Sequence, residues 1–208
     1  ALTLAERGIP VALFEKGHIA GEQSSRNWGW CRQQGRDPRE LPLIIESLAL
    51  WRKIHQRTRC DVGFRQCGIL YLANTAKDVA DREAWLQHGL AYGVESRMVS
   101  SKEINKLLPG SNEQWAGGLY TPTDGRAEPT IAAPAIARAA RQLGARIFTQ
   151  TAVRGIEKTG GRISAVVTEN GSVQCSTVIL AGGAWSSTFC RNLDLRLPLL
   201  MTIGSVFR

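Results

Sequence analysis

Three features of the chain predict an α/β fold that also carries α+β elements. A short helical tail over residues 1–7 is stopped by Gly8 and leads into a continuous apolar run, Val11-Ala-Leu-Phe14, ending in the acid Glu15. An alanine-rich stretch over residues 131–143 is closed by Gly144 and followed by strand candidates separated by glycine turns. A second apolar run, Thr177-Val-Ile-Leu-Ala181, ends in Gly182-Gly183. Unbroken apolar runs of strand length belong to parallel sheets covered on both faces, and helices alternating with them supply the cover.

The elements follow in order. Gly8 suits the position just past a helix end, where the backbone turns left-handed. Residues 18–42 are polar, rich in Gly, Ser and Arg, and without period; connectors this long in compact domains are often functional. Residues 42–57 are expected as one helix, because Leu43, Ile44, Leu48, Trp51 and Ile54 recur at spacings of three and four. Residues 64–66 and 68–73 are expected as strands with Gly68 at a bend, and residues 79–90 as a further helix. Ser100 and Glu103 form a capping-box pattern ahead of a short helix over 104–108, stopped by Pro109-Gly110. Leu119 and Tyr120 are expected in a strand, and Thr123-Asp-Gly125 in a turn.

Pro129 suits a first helical turn, while Pro134 places the start of the regular helix near itself. Residues 146–153, 155–158 and 163–168 are strand candidates. Gly160-Gly161 and Asn170-Gly171 are turn signals, the second a hairpin mark, so these strands form a β-meander. Residues 177–181 are expected as a buried parallel strand, residues 185–192 as the start of a helix, and residues 199–208 as a strand. The order implies an interrupted Rossmann-like domain over 1–45 and 126–195, with 46–125 and 196–208 forming part of a second, mixed, substrate-side domain.

Composition narrows the function. Of 208 residues, 43% are hydrophobic and 21% charged, which is ordinary for a globular chain with a core. No apolar run approaches the roughly 18 residues that span a bilayer. Five cysteines, Cys31, Cys60, Cys67, Cys175 and Cys190, form no C-x-x-C pair, so a reduced, cytoplasmic setting is expected. His18, His55 and His88 lack metal-ligand spacing, and no metal site is assigned. The net charge of +8 is spread among acids without a dense basic run or an aromatic–basic module, which argues against a nucleic-acid partner.

Three segments carry candidate chemistry. Glu15, at the carboxyl end of its strand, is placed to accept hydrogen bonds from both hydroxyls of an adenosine ribose. In the loop Gly21-Glu-Gln-Ser-Ser-Arg-Asn-Trp-Gly-Trp30, Ser24, Ser25 and Asn27 are short donors and Gly29 allows close backbone approach. Arg26 suits a phosphate, and Trp28 and Trp30 offer flat apolar surfaces that imply a ligand or a neighbouring domain. The strand ending in Gly182-Gly183 sets backbone where a cofactor can lie against it. Glu15 alone does not separate FAD from NAD; the loop argues for FAD. The G-x-G-x-x-G turn that would hold the pyrophosphate is not in this sequence, and is expected to precede it in a longer protein.

Together these pieces resemble the FAD-dependent oxidoreductases of the D-amino acid oxidase type, a superfamily that also holds glycine and sarcosine oxidases and D-amino acid dehydrogenases. The resemblance rests on Val11-Ala-Leu-Phe-Glu-Lys16, Ser24-Ser-Arg-Asn-Trp-Gly29, the Tyr120-x-x-x-Asp-Gly-x-x-x-Pro129 stretch and residues 177–185. It implies FAD as cofactor, with Glu15 on the adenosine ribose and Lys16 beside it near the adenine. It implies Ser24, Ser25, Arg26, Asn27 and Gly29 along the pyrophosphate and flavin side, Val153 against the adenine through its backbone, and Ala181, Gly182, Gly183 and Trp185 near the phosphate–ribitol region. Asp124 and Pro129 would be structural. The implied activity is oxidation of an amine or amino acid C–N bond by hydride transfer to the flavin, with the substrate a small amine or amino acid. The alternative is a truncated flavoprotein fragment without turnover. No catalytic residue is assigned.

Overall fold

The computed structural model describes residues 1–111, 114–202 and 204–205. In chain order the elements are α1 (Leu2–Glu6), β1 (Ala12–Phe14), β2 (Trp30–Cys31), a 3-10 turn (Pro38–Glu40), α2 (Leu41–Arg52), α3 (Ile54–Thr58), β3 (Ile69–Ala73), α4 (Ala76–Ala91), β4 (Arg97–Val99), α5 (Ser101–Leu107), β5 (Gly117–Thr121), β6 (Gly125–Arg126), α6 (Pro129–Gln142), β7 (Arg146–Phe148), β8 (Val153–Thr159), β9 (Arg162–Thr168), β10 (Gly171–Gln174), a second 3-10 turn (Gly183–Trp185) and α7 (Ser186–Arg191). They fall into two compact units, Ala1–Trp28 with Pro129–Arg208, and Gly29–Glu128.

In the first unit β1 pairs in parallel with β7, with Ala12, Leu13 and Phe14 opposite Arg146, Ile147 and Phe148. The rings of Phe14 and Phe148 stack at 5.1 Å, which fixes this register. Leu2 and Ala5 of α1 pack on Ala139, Ala140 and Ala145, with Val11, Ile136 and Ile147 closing the cluster. The small residues of α6 let α1 approach closely, and Gly8 and Gly144, at φ +70° and +92°, end the two helices as their positions in sequence require. The meander β10-β9-β8 is antiparallel, turned at Gly160-Gly161 and at Asn170-Gly171.

Several expectations for this unit fail. Helix α6 begins at Pro129 and runs through Pro134. Pro134 lies in its second turn, so the helix forgoes one hydrogen bond there while its apolar face stays packed. Residues 177–181 form no strand: Ile179 is 72% and Leu180 41% exposed. A strand exists through its ladder, and among the described residues β1 has β7 as its only partner and nothing pairs with 177–181. The helix expected at 185–192 is α7. Residues 199–202 and 204–205 are irregular, and the rest of the strand expected over 199–208 lies outside the described residues.

In the second unit β3-β5-β4 form an antiparallel sheet, and β2 pairs with β6. Cys31, Leu48 and Ala127 form a core against Trp51 and Phe64, whose rings stack at 5.9 Å. The single helix expected over 42–57 is broken at Lys53 into α2 and α3, and Arg59, at φ +51°, ends the second piece. Of residues 64–66, only Arg65 pairs, through one bridge to Arg126. Helices α4 and α5 both start with complete capping boxes, Thr75 with Asp78 and Ser100 with Glu103.

A buried carboxylate organises the start of this unit. Asp124 is fully buried, and its Oδ1 accepts from the Gln33 backbone N–H at 2.8 Å and from Gln33 Nε2 at 3.1 Å. Its Oδ2 accepts from the Gln34 N–H at 3.1 Å. The Gln34 side chain, also fully buried, donates to the Leu119 carbonyl at 3.0 Å and accepts from Thr121 Oγ1 at 2.8 Å. The long polar connector is thus pinned to the β5–β6 turn, which satisfies buried backbone donors that lie outside any ladder.

Candidate functional site

Strand β1 delivers Glu15 and Lys16 to its carboxyl end. The Glu15 N–H donates to the Phe148 carbonyl at 2.8 Å, and the Thr151 N–H donates to the Glu15 carbonyl at 3.0 Å, so the backbone is held on both sides. The half-buried carboxylate of Glu15 accepts from the Gly17 N–H at 2.7 Å through Oε1. An ionised carboxylate offers about four acceptor positions, so this bond fixes the side chain and still leaves acceptors for a pair of hydroxyls.

Lys16 ties three segments together. Its Nζ lies 2.6 Å from Glu22 Oε1 in the serine-rich loop and 4.3 Å from the centroid of the Trp185 ring beyond the paired glycines. Glu22 also takes Arg26, whose Nη1 lies 3.2 Å from Oε2, while Arg26 Nη2 donates to the Gly21 carbonyl at 2.9 Å. The Lys16 hydrogen bond, assisted by the charges of Lys16 and Arg26, holds the Glu22 carboxyl below its usual range. Ser25 Oγ donates to the Glu22 carbonyl at 3.3 Å, and Asn27 Nδ2 to the carbonyls of Gln23 and Ser24 at 2.9 and 3.1 Å. Ser24, Arg26 and Asn27 are exposed on this tight turn.

Ala181, Gly182 and Gly183 present exposed backbone, with Gly183 at φ +52° starting the 3-10 turn that carries Trp185. A Cβ on Gly182 would stand 3.3 Å from Ser186 Oγ, whereas one on Gly183 would meet nothing within 4 Å. Gly183 therefore serves its left-handed turn, and both leave the backbone uncovered. Val153 opens β8 instead of ending the strand before it, because β7 stops at Phe148 and the chain turns at Gln150, φ +52°. It lies two residues beyond Thr151, whose N–H holds the Glu15 carbonyl.

The first unit thus assembles Glu15, Lys16, Ser24, Ser25, Arg26, Asn27, Trp185 and the 181–183 backbone, with Val153 following Glu15's backbone partner. Gly29 belongs to the second unit, where it is buried at φ +75° and its carbonyl accepts the Ala127 N–H at 2.8 Å. Sequence reasoning passed over Gly17 and Glu22. Glu22 had a signal: it is the only acid between Glu15 and Asp37, in a stretch holding Lys16, Arg26, Arg32 and Arg36. Gly17 had none, since its part is a backbone N–H. Among the described residues no His, Cys, Asp and Glu group is arranged to hold a metal ion, and no helix is long and apolar enough to cross a membrane.

What the arrangement offers chemically is one fixed acceptor for hydroxyls, two cations that share one acid, and bare backbone beside an indole. Those groups fit the ribose, the phosphates and the planar base of an adenine dinucleotide.

The family model for FAD dependent oxidoreductases (DAO) matches residues 1–208. The mitochondrial sarcosine dehydrogenase of Mus musculus is 32% identical over 205 residues, covering 95% of this chain and 22% of that protein. The sarcosine oxidase subunit beta of an Arthrobacter species is 28% identical over 91% of this chain and 48% of its own length. Among solved structures, the L-amino acid deaminase from Proteus myxofaciens in complex with anthranilate superposes with a TM-score of 0.90 at 34% identity, over 95% of this chain and 45% of that one. The chain spans less than half the length of each of these three proteins.

Proposed function

The chain belongs to the DAO family of FAD dependent oxidoreductases, and from that premise we propose that its first unit holds the adenosine and pyrophosphate part of FAD in a protein that oxidises a C–N bond of an amine or amino acid. The observation that carries this is Lys16, whose ammonium joins the end of β1, the 21–27 loop and the turn after Gly182-Gly183. Two neighbouring segments and a third about 160 residues away converge on one position, as an elongated ligand requires.

In this reading the Glu15 carboxylate accepts from the ribose hydroxyls, its rotamer already set by the Gly17 N–H. Lys16 stands beside the ribose near the adenine and Arg26 meets phosphate charge, while Glu22 keeps both in place. Ser24, Ser25 and Asn27 border the pyrophosphate, the 181–183 backbone passes beside it with no side chain in the way, and Val153 meets the adenine through its backbone. Gly29, at the start of the second unit, lies on the flavin side. When bound, FAD supplies the hydride acceptor for oxidation of the substrate carbon next to nitrogen. The residues of this chain bind and orient. The second unit is assigned to the substrate side, and a reduced, cytoplasmic setting fits the five free thiols.

The test is to mix the purified chain with FAD, separate free cofactor by gel filtration and record the visible spectrum. The expected result is a flavin band that co-elutes with protein and is lost or weakened in Glu15→Ala. A colourless protein peak favours the alternative, a flavoprotein fragment that does not hold the cofactor by itself. An undiminished band in Glu15→Ala removes the ribose assignment.

A further inference from the structure

Away from the cofactor residues, the second unit carries a cluster of arginines around one aromatic ring. The Arg82 guanidinium lies 5.1 Å and that of Arg32 5.6 Å from the centroid of Tyr71. The Trp30 ring is tilted against the same tyrosine at 6.0 Å, with Arg32 5.8 Å from its centroid. Arg36 joins from the side: its carbonyl accepts from Trp85 Nε1 at 2.7 Å, and Trp85 stands one helical turn from Arg82 on α4. A Cβ on Gly35 would lie 3.3 Å from Arg32 Nη1 and would also run into the Tyr71 ring, so the turn before Arg36 sits directly on this group.

Two nitrogens of this group lack acceptors. Arg36 Nε and Arg82 Nε are both buried and, among the described residues, have no hydrogen-bond partner. The nearby acids are partly engaged elsewhere. Asp78, one turn before Arg82, has its Oδ2 taken by the Asn74 and Thr75 N–H groups and Thr75 Oγ1. The two oxygens of Asp124 are taken by Gln33 and Gln34. Glu40 reaches Arg36 only at 3.7 Å and from the exposed side. Arg32 donates to the Gln34 carbonyl through Nη1. Buried guanidinium donors without acceptors are costly and are rarely left so.

We infer that Arg32 and Arg82 over Tyr71, with the neighbouring Arg36, form a binding site for a small oxyanion, a carboxylate or a phosphate. A planar guanidinium presents paired donors that match either group, and a face of Tyr71 or Trp30 behind it limits hydration and orients the fork. The site stands whether or not the chain holds FAD, since none of its residues serves in that assignment.

The test follows the arginine Nε–H resonances of the 15N-labelled full chain while inorganic phosphate or acetate is added at ionic strength fixed with sodium chloride. The expected result is saturable shifts of the Arg36 and Arg82 signals with at least one anion, and the tighter one names the source. Arg82→Gln is expected to weaken binding by about tenfold or more, while Arg162→Gln, at the exposed start of β9, leaves it unchanged. Absence of saturable shifts with both anions overturns the inference, and so does binding that survives Arg82→Gln. Should Arg82→Gln fail to fold, Arg82→Lys keeps the charge and loses Nε and the fork; undiminished binding in that variant overturns the inference as well.

Discussion

Replacing Asp124 tests how the second unit is held together. Its carboxylate is fully buried and receives three N–H donors, two on Oδ1 and one on Oδ2. Asp124→Asn keeps Oδ1 for Gln33 and sets an amide N–H against the Gln34 N–H, losing one bond and orphaning one buried donor, at about 1–3 kcal/mol. Asp124→Ala removes all three bonds and orphans the backbone donors of Gln33 and Gln34. Gln33 Nε2 alone retains a second acceptor, Thr123 Oγ1 at 3.2 Å. The expected loss for Asp124→Ala is about 3–5 kcal/mol. Urea unfolding followed by tryptophan fluorescence measures this, because Trp30, Trp51, Trp85 and Trp115 lie in the second unit.

The same group has a pH signature. Burial pushes the Asp124 carboxyl up, outweighing the N–H groups of Gln33 and Gln34 and the charge of Arg32, which pull it down. The folded state then binds the proton more tightly than the unfolded chain. Stability from this group is present below the ordinary aspartate value and declines as pH rises through the raised folded value. In Asp124→Asn that slope disappears. A loss under about 1 kcal/mol for Asp124→Ala, or Asn costing as much as Ala, would refute the reasoning that buried donors set the magnitude.

Other outcomes are expected from the same structure. Gly125→Ala drives a Cβ into the Arg65 carbonyl oxygen, which bridges to Arg126, and should cost about 1–3 kcal/mol in the same urea assay. Thr75→Ala removes the side-chain half of the α4 capping box and should cost about 1 kcal/mol, measured by circular dichroism. Burial pushes the Cys31 thiol up to about 12, so Cys31 should resist a thiol reagent near pH 8 until the chain is unfolded. The exposed Cys67 should label first, which mass spectrometry of partially labelled protein resolves.

Much of the fold was legible because local rules coincide with it. Gly8, Gly144, Gly160-Gly161 and Asn170-Gly171 mark left-handed or hairpin positions that few other residues fill, and the structure uses them so. Ser100 with Glu103 caps a helix in isolation as well as in the fold. What failed depended on partners. The run over 177–181 has the composition of a buried strand, but composition does not supply a neighbouring ladder. Pro134 obeys its local penalty and is outvoted by the packing of Ala132, Ala135 and Ala139.

The candidate site shows the same division. Glu15 stands at the end of a strand that a pattern locates, so it could be named from sequence, whereas Gly182-Gly183 were reached through a strand that does not form. The pairing of Lys16 with Glu22 and Trp185 joins residues 6 and 169 positions apart, and only the fold brings them together. Asp124, read as a turn residue, is also the acceptor for a connector some 90 positions away, a part that turn chemistry does not disclose.

Competition for the cofactor tests the adenosine assignment most directly. FAD binding to the chain is followed by fluorescence polarisation while ADP or FMN is added. With the grip on the ribose and pyrophosphate, ADP should displace FAD from the wild type and do so more weakly in Glu15→Ala, whereas FMN, which has no adenosine, should displace it poorly. FMN competing as well as ADP, or ADP competing equally in wild type and Glu15→Ala, would contradict it.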